Sequence, residues 1–249
     1  MTLEETIEKL GKMKMATMAR SIRERLSLPD HQDLSHQEMI GLIIDDEYLA
    51  RENRKMSNRL KEARVKIIAT MEGIDYQIKR GLIKNKMLEL GNLEWIIRKQ
   101  NIIITGPTGA GKSFLAQALA HHACRQGYTA RYFRLTKLLN ELVVSRADGT
   151  YQKLLGKLIK HDVLILDDWG IAPLQAQEQQ DLLEVIDDRY EARSTIITSQ
   201  LPAKNWHEFI GNDTVADALC DRLVHNAYKI ELNGKDSVRK IKGGVKNED

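Results

Sequence analysis

The stretch 101-NIIITGPTGAGKSFLAQALA-120 decides the fold. A short, wholly apolar run, Ile102–Ile104, reads as a buried parallel strand. It is followed by Gly106-Pro107-Thr108-Gly109-Ala110-Gly111-Lys112-Ser113, which satisfies GxxxxGK[ST]. Glycines let the chain curl so that backbone N–H groups point inward at phosphate oxygens. The Ala- and Leu-rich run after it predicts a helix over 113–126, whose N-terminus adds its positive dipole end. Strand, glycine loop and helix in that order are the context that turns a short motif into a phosphate-binding loop. Gly106 to Phe114 are therefore the expected nucleotide cradle. Lys112 is expected to reach the β- and γ-phosphates, and the Ser113 hydroxyl to bind magnesium.

Working outward, 163-VLILDD-168 and 195-TIITSQ-200 are two more buried strands, and Tyr132-Phe133 belongs to a fourth. With helices such as 177–192 between them, they make an α/β domain with a parallel sheet. Asp167, 55 residues after Lys112, would be delivered to the carboxyl end of its strand as a second magnesium contact. Asp168 would orient or deprotonate the attacking water. Gln200 is expected to sense the γ-phosphate, with Ser199 as the fallback.

The first ninety residues are helical in period. Leu3, Ile7 and Leu10, then Met13, Met15, Met18, Ile22 and Leu26, recur at helical spacing. Pro29-Asp30 marks a break and Leu34-Ser35 a new entry. The next helix continues through Met56, Leu60 and Ile67 until Gly73. Residues 74–100 read as a connecting segment. The expected division is a helical domain over 1–70, an ATPase domain over 71–241 and a tail over 242–249.

The 249 residues carry a net charge of +3, and its distribution matters more than its size. Residues 1–100 hold the whole excess, while residues 101–249 balance. Arg51 to Lys66 contains seven basic and two acidic side chains. Arg51, Lys55 and Arg59 recur four apart on one helical face, with Arg54 and Lys61 adjacent, the pattern of a phosphate-backbone contact. No Phe, Tyr or Trp lies in 51–66, so there is no platform for stacking single-stranded bases, and duplex DNA fits better. Lys137, Arg146, Lys153 and Lys157, between the second and third strands, are a second candidate DNA surface, with 146–149 as a loop. Two distant cysteines, Cys124 and Cys220, exclude a zinc ribbon or a disulfide framework and suit a reducing cytosol. No run approaches a membrane span, and the acidic start does not read as a signal peptide. His121-His122 lack the spacing of a metal pair.

The pairing of phosphate loop and DD strand end resembles the AAA+ ATPases, many of which have Glu where Asp168 stands. The shorter side chain implies slow hydrolysis. Asp221-Arg222-Leu223 resembles the box that sends an arginine finger into a neighbouring subunit, which implies an oligomer. Gly234-Lys235-Asp236-Ser237-Val238-Arg239 resembles a second sensor, with Arg239 facing the γ-phosphate. LEWIIRKQ before the first strand, DDWG, TSQLP, LCDRL and GKDSVR together resemble the IstB-like helper ATPases of IS21-type transposition, relatives of the DnaC and DnaA proteins. That resemblance covers about Ile74 to Lys240. It implies a bacterial, cytoplasmic, DNA-associated protein using ATP and Mg2+, which oligomerises on duplex target DNA and recruits and stimulates a transposase. Its hydrolysis would respond to DNA and assembly. The rivals are a DnaC-like helicase loader, a small-molecule P-loop kinase and a DNA-wrapping protein that uses nucleotide only as a clamp.

Overall fold

A computed structural model describes residues 2–27, 34–65, 69–234 and 238. The expected break at Pro29-Asp30, the continuation to Ile67, the residues Lys235, Asp236, Ser237 and Arg239, and the tail 242–249 lie outside the described residues.

The chain forms two compact units, Met1–Asn58 and Arg59–Asp249. In the first, α1 (Leu3–Lys12) and α2 (Ala16–Ser27) precede the start of α3 (His36–Glu62). Thr2 and Glu5 form a reciprocal capping box at the start of α1. Ile7, Ala19 and Ile43 supply its small apolar interior. The acidic cluster of α3 has a structural task here. Glu47, buried, accepts from the Met18 amide in the first turn of α2 at 2.9 Å, and Asp46 accepts from Arg25 at 2.7 Å. Carboxylates at a helix N-terminus satisfy its orphan amides and meet its positive dipole end.

The second unit is built on five parallel strands: β1 (Asn101–Thr105), β2 (Ala130–Arg134), β3 (Val163–Trp169), β4 (Ser194–Ser199) and β5 (Ala227–Glu231). Their order is β2-β3-β4-β1-β5. β5 was not foreseen. It is an edge strand in which only Ile230 is buried, so AYKIE lacks the continuous apolar run of its neighbours.

The remaining helices cover both faces. Successive residues of a strand point to opposite sides, and the core divides accordingly. Ile102, Ile104 and Ile165 join α4 (Lys84–Gly91), α5 (Glu94–Ile97) and α6 (Lys112–Arg125) in one cluster. Ile103, Leu164, Leu166 and Ile197 join the other, with α7 (Leu135–Ala147), α8 (Tyr151–Lys160), α9 (Ala176–Arg189), α10 (Trp206–Ile210) and α11 (Asp213–Val224). The segment 74–100 is thus no plain connector, because Met87, Leu90, Trp95 and Ile96 are core residues. Arg146 belongs to the last turn of α7 rather than to a loop. Trp169 ends β3 against Trp206, ring centroids 5.0 Å apart, with Phe209 edge-on at 5.6 Å. Among the described residues no helix is long and apolar enough to cross a membrane.

A buried cation locks the lower edge of this sheet. Arg189, 1% exposed, donates to the carbonyls of Leu158, His161 and Ser194 and to the Thr195 hydroxyl. Desolvation pushes its guanidinium down to about 9, which leaves it cationic at neutral pH. Arg189→Met would strand the buried carbonyls of Leu158 and Ser194 and the half-buried one of His161. The expected loss is about 3 kcal/mol in denaturant unfolding. A loss below about 1 kcal/mol would show that those carbonyls find other partners.

Candidate functional site

The site lies at the carboxyl ends of β1, β3 and β4. Gly106 leaves β1 with φ +148°, and a Cβ there would meet the Leu232 carbonyl oxygen at 2.5 Å. Only glycine allows that approach. Gly111, φ +92°, is the N-cap of α6 and offers no side chain to its first turn, so those amides are left to the loop. Lys112 curls back into the loop, where its Nζ donates to Gly106 O at 2.7 Å and Pro107 O at 2.9 Å. Burial lowers its pKa, opposed by the charges of Asp167 and Asp168. Pro107, Thr108, Gly109 and Ala110 complete the curl, and the Ala110 amide donates to Pro107 O at 3.3 Å. Phe114 follows in the first turn of α6 and packs against the apolar core.

Asp167 is 2% exposed. Its Oδ1 accepts from Ser113 Oγ at 2.8 Å and from the Thr198 hydroxyl, and its Oδ2 accepts from Tyr132 Oη at 2.6 Å. Those hydroxyls come from α6, β4 and β2. The pairing of β3 with β4 shifts register between Leu166 and Trp169. Asp168 sits in that shift at φ +66°. Asp is among the few residues with a side chain that adopt this left-handed region readily. Bulges recur beside active sites because they re-aim side chains. Here the bulge buries one carboxylate and leaves the next partly open. Asp168 lies 3.5 Å from Arg134 Nε, and its amide donates to Thr198 Oγ1 at 3.2 Å.

Gln200, exposed beyond β4, accepts from Thr108 Oγ1 at 2.9 Å and so touches the loop. Ser199 is buried and committed to the Trp169 carbonyl and the Leu201 amide. Of the two sensor candidates, Gln200 is the one placed at the loop. Nothing in the sequence marks Tyr132, Thr198 or Arg134 as site residues. A strand-end Tyr or Thr carries no motif, and only strand adjacency gives it meaning.

Arg222 lies elsewhere. Asn101, the first residue of β1, donates to the Arg222 and Leu223 carbonyls at 3.0 and 3.3 Å. Arg222 thus sits by the amino ends of the strands, opposite the loop. Its guanidinium is ion-paired with Asp187 of α9.

Several basic candidates are engaged within the chain. Arg51 pairs with Glu47 at 2.8 Å, Lys55 with Glu52 at 2.8 Å, and Arg59 Nε donates to Cys124 O at 2.9 Å. Arg146 lies 3.7 Å from the Tyr151 ring centroid. It is bonded to Asp181 and lies 3.6 Å from Glu184. Its charge is met by carboxylates rather than held out to a phosphate backbone. Arg54, Lys61, Lys137 and Lys153 are exposed. The Cys124 thiol is buried and pushed up to about 11, which makes it inert.

A parallel sheet in this order, with a phosphate loop, a buried strand-end carboxylate and a polar residue at the tip of β4, defines a P-loop ATPase of the AAA+ type. Within that class the chain belongs to the family of IstB-like ATP binding proteins, whose family model matches residues 8–243. It is an ATP-binding AAA+ ATPase associated with IS21-type transposition. A putative insertion sequence ATP-binding protein, y4pL, of Sinorhizobium fredii is 45% identical over 235 residues, 94% of this chain and 96% of that protein. The IS21 putative ATP-binding protein of Pseudomonas aeruginosa is 29% identical over 226 residues, 91% and 85% of the two chains. Among solved structures, DnaI has a TM-score of 0.57 at 20% identity, covering 67% of this chain and 92% of its own. The DnaC helicase loader has 0.55 at 19%, covering 66% and 97%. At such identities the likeness bears on the fold alone.

The Tyr132 hydroxyl aims Asp167 without reaching the loop. Tyr132→Phe should leave ATP affinity within about twofold and cut turnover about tenfold, as for one lost hydrogen bond to a charged group. Steady-state hydrolysis checks this, and unchanged turnover refutes the aiming role.

Proposed function

We propose that this protein is the ATP-dependent DNA-binding partner of a transposase, assembling on duplex target DNA and presenting it for insertion. The observation that carries this reading is the near full-length match to insertion-sequence ATP-binding proteins in a chain whose phosphate loop, Asp167 and Gln200 converge in one place.

Lys112 and the loop amides bind and orient the ATP phosphates. Ser113 and Asp167 suit Mg2+, since both offer hard oxygens and lie 2.8 Å apart. Among the described residues no cluster of three or more His, Cys, Asp or Glu forms a site. That donor set fits an ion whose other ligands are phosphate and water. When bound, Mg2+ neutralises charge on the β- and γ-phosphates. Asp168 orients the attacking water, and Gln200 reads the γ-phosphate from the Thr108 side. Arg134, 3.5 Å away, holds the Asp168 carboxylate beside the end of β3.

Arg222 supports an oligomeric active form. β1 spans about 16 Å at 3.3 Å per residue, and Arg222 and the loop sit at its opposite ends. As an arginine finger it would serve the nucleotide of another copy. Release from Asp187 frees it for that role. Arg239 is the proposed second sensor. DNA contact is assigned to the exposed Arg54 and Lys61 of α3, and to Lys137 and Lys153. Lys153 and Lys157 line a cleft of about 450 Å³ together with Glu141 and Asp148. The solved DnaI and DnaC structures share the fold, but the near full-length relatives are insertion-sequence proteins, which favours transposition over helicase loading.

Lys112→Ala should abolish ATP-dependent assemblies on duplex DNA in electron micrographs, and undiminished assembly would sink the coupling of nucleotide to DNA. Asp168→Asn should keep ATP binding but lower hydrolysis by about 10²-fold, as for loss of a general base. Hydrolysis at the parental rate would remove Asp168 from the chemistry.

A further inference from the structure

Arg80 stands just before Gly81 in the segment leading to α4, outside every motif considered above. It is 3% exposed. A guanidinium so far from water needs acceptors for its donors. Its Nη1 donates to Ala110 O in the phosphate loop at 2.9 Å, and its Nη2 to Asp75 O at 3.2 Å. Its Nε is buried without a partner among the described residues. Both acceptors are backbone carbonyls, and among the described residues no carboxylate is hydrogen-bonded to it. The nearby Asp75 side chain accepts instead from the Gln77 amide at 2.9 Å.

The contact is close enough to constrain the loop's composition. A Cβ on Gly111 would lie 2.3 Å from Arg80 Nη1. The φ of +92° is what favours glycine there, and any side chain would also have to displace the guanidinium. The Arg80 backbone is fixed too, because its carbonyl accepts from the Asn233 amide at 2.8 Å in the stretch after β5. A few residues on, the Val238 amide donates to Gly109 O at 3.0 Å. The loop is thus braced from outside by two segments.

We propose that Arg80 is a positioning residue for the phosphate loop, and that its buried charge favours a polyphosphate anion within it. In a trans peptide the C=O and N–H point to opposite sides. Arg80 holds the Ala110 carbonyl, and the Gly111 amide must then face the other way, as an anion donor. The buried cation, only partly offset by the Asp75 charge, adds positive potential beside Lys112, at a depth where water screens it poorly. This deepens the ATP-site reading and rests on it.

The test is equilibrium binding of fluorescent ADP and ATP analogues to Arg80→Gln, Arg80→Lys and Lys112→Ala, with thermal unfolding of each nucleotide-free protein. The loop's donors meet phosphates common to both nucleotides. Arg80→Gln should therefore weaken ADP and ATP equally, by about tenfold, the scale of a lost charged hydrogen bond. Arg80→Lys, which keeps the charge and one donor, should recover part of the loss. Nucleotide-free unfolding should stay near the parent's. Equal affinity in Arg80→Gln beside a defective Lys112→Ala overturns the role of Arg80 alone. A loss confined to ATP overturns it in favour of a γ-phosphate contact, and unfolding of both Arg80 variants reduces it to a scaffold. Undiminished binding in Lys112→Ala overturns the assignment of the loop and Arg80 with it.

Discussion

The buried carboxylate of Asp167 is the constraint on which the catalytic end of the sheet depends. Removed from water, a carboxylate must be fully hydrogen-bonded or it destabilises the fold by several kcal/mol. Here three hydroxyls meet it, from Ser113, Tyr132 and Thr198. They arrive from the phosphate-loop helix and from the strands on either side of β3. A slip of β3 by one residue would turn Asp167 to the opposite face. The bond set that satisfies one charge therefore also fixes strand register, the docking of α6 and the spacing of the site. β4 lies between β1 and β3, which is why Thr198 bridges the two halves.

The same parallel geometry separates two roles. Every loop after a strand lies at one end of the sheet, and every loop before a strand at the other. The phosphate loop is of the first kind and Arg222 of the second. In the proposed assembly, this polarity makes a complete site a property of two subunits. The Asp187–Arg222 pair then belongs to the separate subunit, and its exchange for a nucleotide contact accompanies assembly.

The electrostatic surroundings of a charge depend on folding more than on its place in the sequence. The basic stretch 51–66 is real, yet Glu47 and Glu52 meet two of its cations and Arg59 turns to the Cys124 carbonyl. Glu47 lies just outside the counted window, one helical turn before Arg51. Counting along the chain sees neither that pairing nor the Asp181–Arg146 contact, which joins residues 35 apart. The same dependence hides Arg80. An isolated Arg beside a Gly carries no pattern until folding brings it to a loop thirty residues away.

What the sequence determined by itself was local and periodic. Continuous apolar runs gave three strands, since a strand covered on both faces has no polar side to show, and the Tyr132-Phe133 pair marked a fourth. The glycine loop placed the phosphate cradle, because its backbone conformation admits few other residues. The spacing from Lys112 to Asp167 fixed the partner carboxylate. The edge strand β5 escaped, since only Ile230 of it is buried and its pattern is weak. Only the tertiary structure decided what surrounds each charge. It set Tyr132 and Thr198 on Asp167, Arg134 on Asp168, Asp187 on Arg222 and Arg80 on the loop. Those pairings depend on which strands lie side by side and which helices cover them. Adjacency of that kind arises from packing the whole chain and leaves no mark on any single segment.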